Sequence, residues 1–203
     1  MSYSKIGNVL VAQGDLTGAL KAYRDSLAIA DRLAKSDPGN AEWQRDLSVS
    51  YNKTGDVLVA QGDLTGALKA YRDDLAIADR LARSDPGNAE WQRDLSVSYD
   101  NTGDVLVAQG DLTGALKAYR DSLAIRDRLA RSDPGNAGWQ RDLSVSQMKV
   151  ADVASKSGDK ATARVELAAA REISARLAKL SPDNVVWKKD LAWIDAQLAA
   201  LGR

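Results

Sequence analysis

The side chains of this chain that could do chemistry are 28 lysines and arginines and 28 aspartates and glutamates, which leave no formal net charge. Histidine and cysteine are both absent. That removes the commonest general base and the commonest metal ligand, and with them thiolate and disulfide chemistry. The carboxylates form no pair outside a pattern that recurs along the chain, and no glycine-rich stretch reads as a phosphate loop between strand and helix. The Asp-Pro-Gly-Asn sequences at 37–40, 85–88 and 133–136 offer oxygens, but they lack the alternating acids and closing glutamate of a calcium loop. They read as turns. We expect a non-enzymatic chain with no cofactor and no metal. Balanced charge argues against nucleic acid or an anionic membrane as partner, since both select a basic stripe. No apolar run approaches the roughly 18 residues of a membrane span. The opening MSYSKIGNVL has no signal-peptide layout, and a cytoplasmic location is the expectation.

The elements that carry these charges come from a repeat. The stretch from Gly55 to Thr102 occurs almost unchanged from Gly7 and from Gly103, and in eroded form from Ala151, a period of 48 residues. Pro38, Pro86, Pro134 and Pro182 keep that spacing, as do Trp43, Trp91, Trp139 and Trp187. A fixed period in this range marks a solenoid of stacked units, each burying its apolar face on its neighbours. Within a unit, Trp43, Leu47, Tyr51, Thr54 and Leu58 form one helical stripe, helix A, behind Asn40 as cap. Gly62 ends it, taking the left-handed conformation at no steric cost. Asp63 caps helix B, whose stripe is Leu64, Ala67, Leu68, Tyr71, Leu75, Ala78 and Ala82, widened by Ile77 and Leu81. Asp85-Pro86-Gly87-Asn88 then stops B and starts the next A.

This reading predicts helices over 16–36, 41–61, 64–84, 89–109, 112–132, 137–157, 160–180 and 185–201, joined by loops short enough to force antiparallel neighbours. Residues 1–13 read as a truncated first helix, because Ser2-Tyr3-Ser4-Lys5-Ile6-Gly7 matches Ser50-Tyr51-Asn52-Lys53-Thr54-Gly55. The chain then opens in mid-repeat, as if cut or engineered from a longer array. The expected organisation is one array over 1–203, with units at 14–61, 62–109 and 110–157 and a diverged, polar cap at 158–203. Leu27, Ile29 and Leu33 lose the turns that would cover them, so the amino end is expected to be sticky.

The residues Tyr51-x-x-Thr54-Gly55-x-x-Leu58, Gly62-Asp63-Leu64, Ala67-x-x-x-Tyr71 and Pro86 resemble the tetratricopeptide repeat. That motif is about 34 residues long, and this unit is fourteen longer. Seven of these fall in Trp43–Val49 and seven in Ala76–Ala82. Seven residues are close to two turns, so each helix lengthens without rotating its apolar face. The resemblance implies an all-α, right-handed superhelical solenoid of antiparallel helix pairs with long helices. Gly55 and Ala67 are then where the two helices of a pair approach most closely.

It also implies a function. Family members bind a peptide or partner protein on a concave face lined by the A helices. Carried over position by position, that face holds Lys5 and Asn8, then Asn52, Lys53 and Asp56, then Asp100, Asn101 and Asp104, then Lys149 and Asp152. Ser4, Val11, Val59, Val107, Met148 and Ser155 accompany them. The first two copies differ at five positions, and three of these (8/56, 52/100 and 53/101) lie on this face. A carboxylate clamp known in the family does not carry over, because Asp56, Asp104 and Asp152 would repel its ligand. A basic or mixed-charge protein or peptide is the expected partner. The tryptophans read as locks between repeats, and Gln44-Arg45-Asp46 with its copies as a solvated ionic face. The alternative use is structural: copies of the chain associating end to end through the uncapped amino end.

Overall fold

The computed structural model describes residues 3–202. Met1, Ser2 and Arg203, placed above in the truncated helix and the cap, lie outside the described residues. Among the described residues there are nine helices and no strand. The chain divides into two compact units, between Gln109 and Gly110. The first holds α1 (Tyr3–Ala12), α2 (Leu16–Ser36), α3 (Ala41–Ala60), α4 (Leu64–Ser84) and α5 (Ala89–Ala108). The second holds α6 (Leu112–Ser132), α7 (Ala137–Lys156), α8 (Lys160–Leu180) and α9 (Val185–Leu201).

The helix ends follow the capping chemistry. Asn40 accepts from the Trp43 amide at 3.1 Å and Asp63 from the Gly66 amide at 2.8 Å, each satisfying a donor of the first turn. Helices of the A type stop one residue short of expectation. Gln61, Gln109 and Ser157 act as C-caps, and the chain reverses at Gly62, Gly110 and Gly158 with φ of 81°, 82° and 84°. Only glycine adopts that conformation without penalty.

Bonds between α3 and α4 fix their direction. Gln44 meets Arg80, Ser48 and Asn52 meet Asp74, and Asp56 meets Tyr71. Partners early on one helix are late on the other, so the pair is antiparallel. Ser98 and Gln92 of α5 reach Asp74 and the Ala82 carbonyl of α4 in the same sense.

Both small residues expected at the contact between α3 and α4 lie in it. Ala67 is fully buried, and the glycine opposite makes room for a ring. A Cβ on Gly55 would stand 2.5 Å from Cε1 of Tyr71, and one on Gly7 would stand 2.6 Å from Cε1 of Tyr23. In the last repeat these paired positions are Ala151 and Leu167, both buried in one cluster. Glycine and tyrosine have been exchanged together for alanine and leucine, preserving the fit.

The two turns that lengthen each helix build a second cluster. Leu47 of α3 packs on Ala30 and Ala34 of α2 and on Ile77 and Leu81 of α4, with Trp43 and Trp91 against it. The second unit repeats this with Ala130, Leu143, Ile173 and Leu177, flanked by Trp139 and Trp187. The tryptophans therefore do join successive pairs. Where this cover is missing, the same residues meet solvent. Ile29 and Leu33 of α2 are each 38% exposed, against 7% for Ile77 and Leu81 of α4. Each such burial is worth roughly 1.5–3 kcal/mol. At the other end, the polar surface expected of the last repeat is interrupted by exposed Val165, Leu180, Val185, Val186 and Trp193.

Candidate functional site

Of the residues expected on a binding face, the structure gathers Asp56, Asn101 and Asp104 into one cleft of the first unit. It is about 270 Å3, floored by Tyr71, Val105 and Leu64 and flanked by Val59 and Ala108. The helices present these groups because α3 and α5 are copies one period apart, both packed on α4. Asp56 and Asp104 therefore face the same space from equivalent turns. Both are exposed. The Tyr71 hydroxyl donates to Asp56 Oδ1 at 2.8 Å and orients that carboxylate. Burial first, and then the Asp56 charge, push the Tyr71 hydroxyl well above its ordinary value, so it stays a donor. Lys53 Nζ lies 3.6 Å from Asp56 Oδ2 at the rim, a half-exposed pair contributing little. The cleft thus offers two carboxylates over an apolar floor.

The other expected residues are placed differently. Asn8 of α1 is exposed and accepts from Tyr23 Oη at 2.6 Å, the counterpart of the Asp56–Tyr71 bond. Lys5 is exposed on the same helix. Asn52 turns inward and donates to Asp74 Oδ2 at 3.3 Å. Asp100 is buried, at 6% exposure, and does not face solvent with its neighbours. It lies one residue short of the surface stripe that Asn101 and Asp104 share. Lys149 and Asp152 lie on α7 in the second unit. Lys149 Nζ stands 5.0 Å over the Tyr119 ring, and Asp152 accepts from Lys156 at 2.7 Å.

Asp152 lines a smaller cleft of about 190 Å3 with Ser155, Lys160, Leu167, Gln197 and Ala200. These are the positions of Asp56, Val59, Leu64, Tyr71, Asn101 and Asp104, two periods on. One carboxylate has gone, and Lys156 and Lys160 surround the other.

Sequence reasoning missed a polar centre in the first unit. Asp74 is 2% exposed and accepts from Ser48 Oγ of α3, from Ser98 Oγ of α5 at 2.8 Å and from Asn52. Burial raises its pKa, against those three hydrogen bonds. One acid thereby ties α4 to both neighbouring A helices. Its copy in the second unit is Ser122, fully buried 3.5 Å from Ser146 Oγ, which also accepts from the buried Arg126 guanidinium at 3.0 Å. The available signal was that position 26/74 is among the few that differ between near-identical copies.

Comparison with known proteins agrees with this architecture. Residues 1–38 and 95–131 match the tetratricopeptide repeat family. No curated protein gives a match. The fold is shared with BtubC (BKLC) from P. vanneervenii, at a TM-score of 0.67 and 18% identity over 86% of this chain and 63% of that one. It is shared with the apo form of RapI, at 0.67 and 16% identity over 98% of this chain and 63% of that one. A structure of nearly identical TPR-like repeats, from a protein of Podosopora anserina described as a kinesin light chain, matches at 0.60 and 15% identity, over 100% of this chain and 95% of that one. The chain thus spans 63% of the length of the first two. No helix among the described residues is long and apolar enough to cross a membrane. The helix pairs, repeated along the chain, thus share the fold of solved repeat proteins, and two stretches of the chain match the tetratricopeptide repeat family.

Proposed function

We propose that this chain is a non-enzymatic binding module that holds a peptide or a partner protein in the cleft of α3, α4 and α5. The segment it takes is basic or of mixed charge. The observation that carries this reading is the convergence of Asp56 and Asp104, from two different helices, on one cleft floored by Tyr71, Leu64 and Val105. A lysine or arginine of the ligand sits between the carboxylates while an apolar neighbour covers Val59 and Leu64. Charge of this kind sets the choice of partner and the rate of encounter more than raw affinity. Lys53 and Asn101 at the edge select the rest of the ligand. Lys5 and Asn8 extend the surface within the first unit, Lys149 and Asp152 offer one in the second, and the half-buried Asn52 and buried Asp100 take no part.

A random-peptide display selection against the whole chain tests this reading. The parent is run beside an Asp56→Asn, Asp104→Asn variant, in which the new amide oxygen at position 56 still accepts from Tyr71 as Asn8 does from Tyr23. Lysine- or arginine-bearing peptides enriched on the parent and lost from the variant are the expected outcome. Peptides without basic residues, or the same peptides on both proteins, would overturn it.

A further inference from the structure

Two helices one period apart, α4 and α6, differ at only two of their twenty-one residues, Asp74/Ser122 and Ala78/Arg126. The two positions are four apart and share one face of the helix. The exchange puts an anion there in the first unit and a cation in the second. The second unit keeps its cation inside. Arg126 is 6% exposed, and its Nη1 donates to Ser146 Oγ at 3.0 Å and to the Asp142 carbonyl at 3.1 Å, both on α7.

In the first unit the corresponding groups of α5, Ser98 and Asp94, line an open cleft. Its volume is about 130 Å3, and it is walled by Val49 and Asn52 of α3, Asp74 of α4 and Val97 of α5. Val49 is 44% exposed, so the cleft meets solvent there. Asp74 has no counter-charge of its own. Its hydrogen bonds come from Ser48, Ser98 and Asn52, all neutral, and among the described residues no lysine or arginine pairs with it. Asp94 adds a second acid but already holds Arg45 at 2.7 Å, an ion pair repeated by Arg141 and Asp190. A carboxylate has about four acceptor sites, and the three donors leave one unused. Burying a charge without its partner is costly, and a cation brought to it recovers part of that cost.

We propose that the Asp74 cleft is a binding site for a guanidinium group, entering from outside where Arg126 supplies one from within. Its nitrogens donate to Asp74, to Ser98 Oγ and to the Asp94 carbonyl, the last two being the copies of the groups that hold Arg126. Val49 and Val97 flank its apolar stem. A guanidinium suits the cleft better than an ammonium, because its planar fork meets several acceptors at once and it is the more weakly hydrated. Free arginine and an arginine side chain of a partner protein present the same group. The inference does not rest on the cleft of Asp56 and Asp104, which shares no lining residue with this one.

The test titrates the isotope-labelled full chain with N-acetyl-arginine methylamide, and separately with its lysine counterpart, following backbone amides by NMR. Saturable shifts at Ser48, Asp74 and Ser98 are expected with the arginine amide. Binding should be roughly tenfold or more weaker for the lysine amide and in Asp74→Ser protein. Serine already stands at Ser26 and Ser122, and circular dichroism establishes that the variant folds. Ala78→Arg, which copies the second unit, should fill the cleft from within and abolish binding. A peptide with one arginine among alanines separates the two sources: tighter binding than the amide marks a partner's arginine, equal binding a free guanidino compound. Absence of saturable shifts, equal binding of the lysine amide, or arginine binding indifferent to Asp74→Ser and Ala78→Arg would overturn the proposal. So would shifts that centre on Asp56 and Asp104 and vanish in the Asp56→Asn, Asp104→Asn variant, since the group would then sit in the other cleft.

Discussion

The cleft of α3, α4 and α5 and the cleft of α7, α8 and α9 are the same construction two periods apart, and they have kept different things. What touches the helix–helix contact changed in concert: Gly55 with Tyr71 in the first, Ala151 with Leu167 in the second. What faces solvent changed in chemistry. Val59, Leu64 and Asp104 became Ser155, Lys160 and Ala200, while Asp56 remained an aspartate as Asp152. Packing tolerates only paired substitutions, because interiors are close-packed and a single extra carbon is felt. A cleft rim has no such constraint, so one fold carries an acidic cleft in one unit and a largely neutralised one in the other.

The largest effect should be one the two units share. Ala67 and Ala163 are both fully buried where α4 and α8 meet the helix before them. Ala67→Leu and Ala163→Leu should each cost about 1–3 kcal/mol by overpacking, as should Ala115→Leu on α6. Denaturant titrations overlaying the parent would break the equivalence.

The exchanged pair separates the units next. Gly55→Ala brings a Cβ to 2.5 Å from the Tyr71 ring, whose hydroxyl is held by Asp56. It should lose about 1–2 kcal/mol, with overpacking outweighing up to 1 kcal/mol gained in helix propensity. Adding Tyr71→Leu, which copies the second unit, should recover most of that loss. Additive losses in this double-mutant cycle would show that the two positions are not coupled.

A third difference is pH-dependent. Burial raises the Asp74 pKa in the folded state above its ordinary value of 3.8. The folded chain therefore holds this proton more tightly than the unfolded chain. The stability this contributes is fully present below pH 3.8 and is lost as pH rises through the raised folded-state value. Asp74→Ser, the residue found at Ser122, should remove that slope. Unfolding midpoints followed from acid to neutral pH should diverge, the variant gaining on the parent as pH rises. Parallel curves would count against a buried, titrating Asp74.

The smallest effect belongs to the ionic register. Arg45 and Asp94 are each about one-third exposed, so Arg45→Ala should cost no more than about 1 kcal/mol and less in high salt. Arg141 with Asp190 should behave alike, and a much larger loss in one unit would show that its pair does more than rim work.

Much of this was legible in sequence because it is local. The helix bounds follow from caps, turns and the period of apolar residues, and they fell within a residue of expectation at Gln61, Gln109 and Ser157. The cleft was legible in part. Asp56, Asn101 and Asp104 could be assigned to one face because copies one period apart occupy equivalent turns. Asp100 could not be told from them, since a single residue along a helix turns a side chain by about 100° and decides surface or interior. The Asp74 centre was not legible either, because Ser48 and Ser98 reach it from two different helices.

By itself the sequence determined the helices, their order and the register in which they repeat, since each depends on neighbours within a few residues. Tertiary structure decided which of two nearly identical helices is covered. α2 and α4 differ in only two residues, Ser26/Asp74 and Lys35/Arg83. Yet Ile29 and Leu33 face solvent while Ile77 and Leu81 are buried. Burial is a property of what lies opposite, and the same twenty-one residues form core or solvent-facing surface according to whether another helix lies over them.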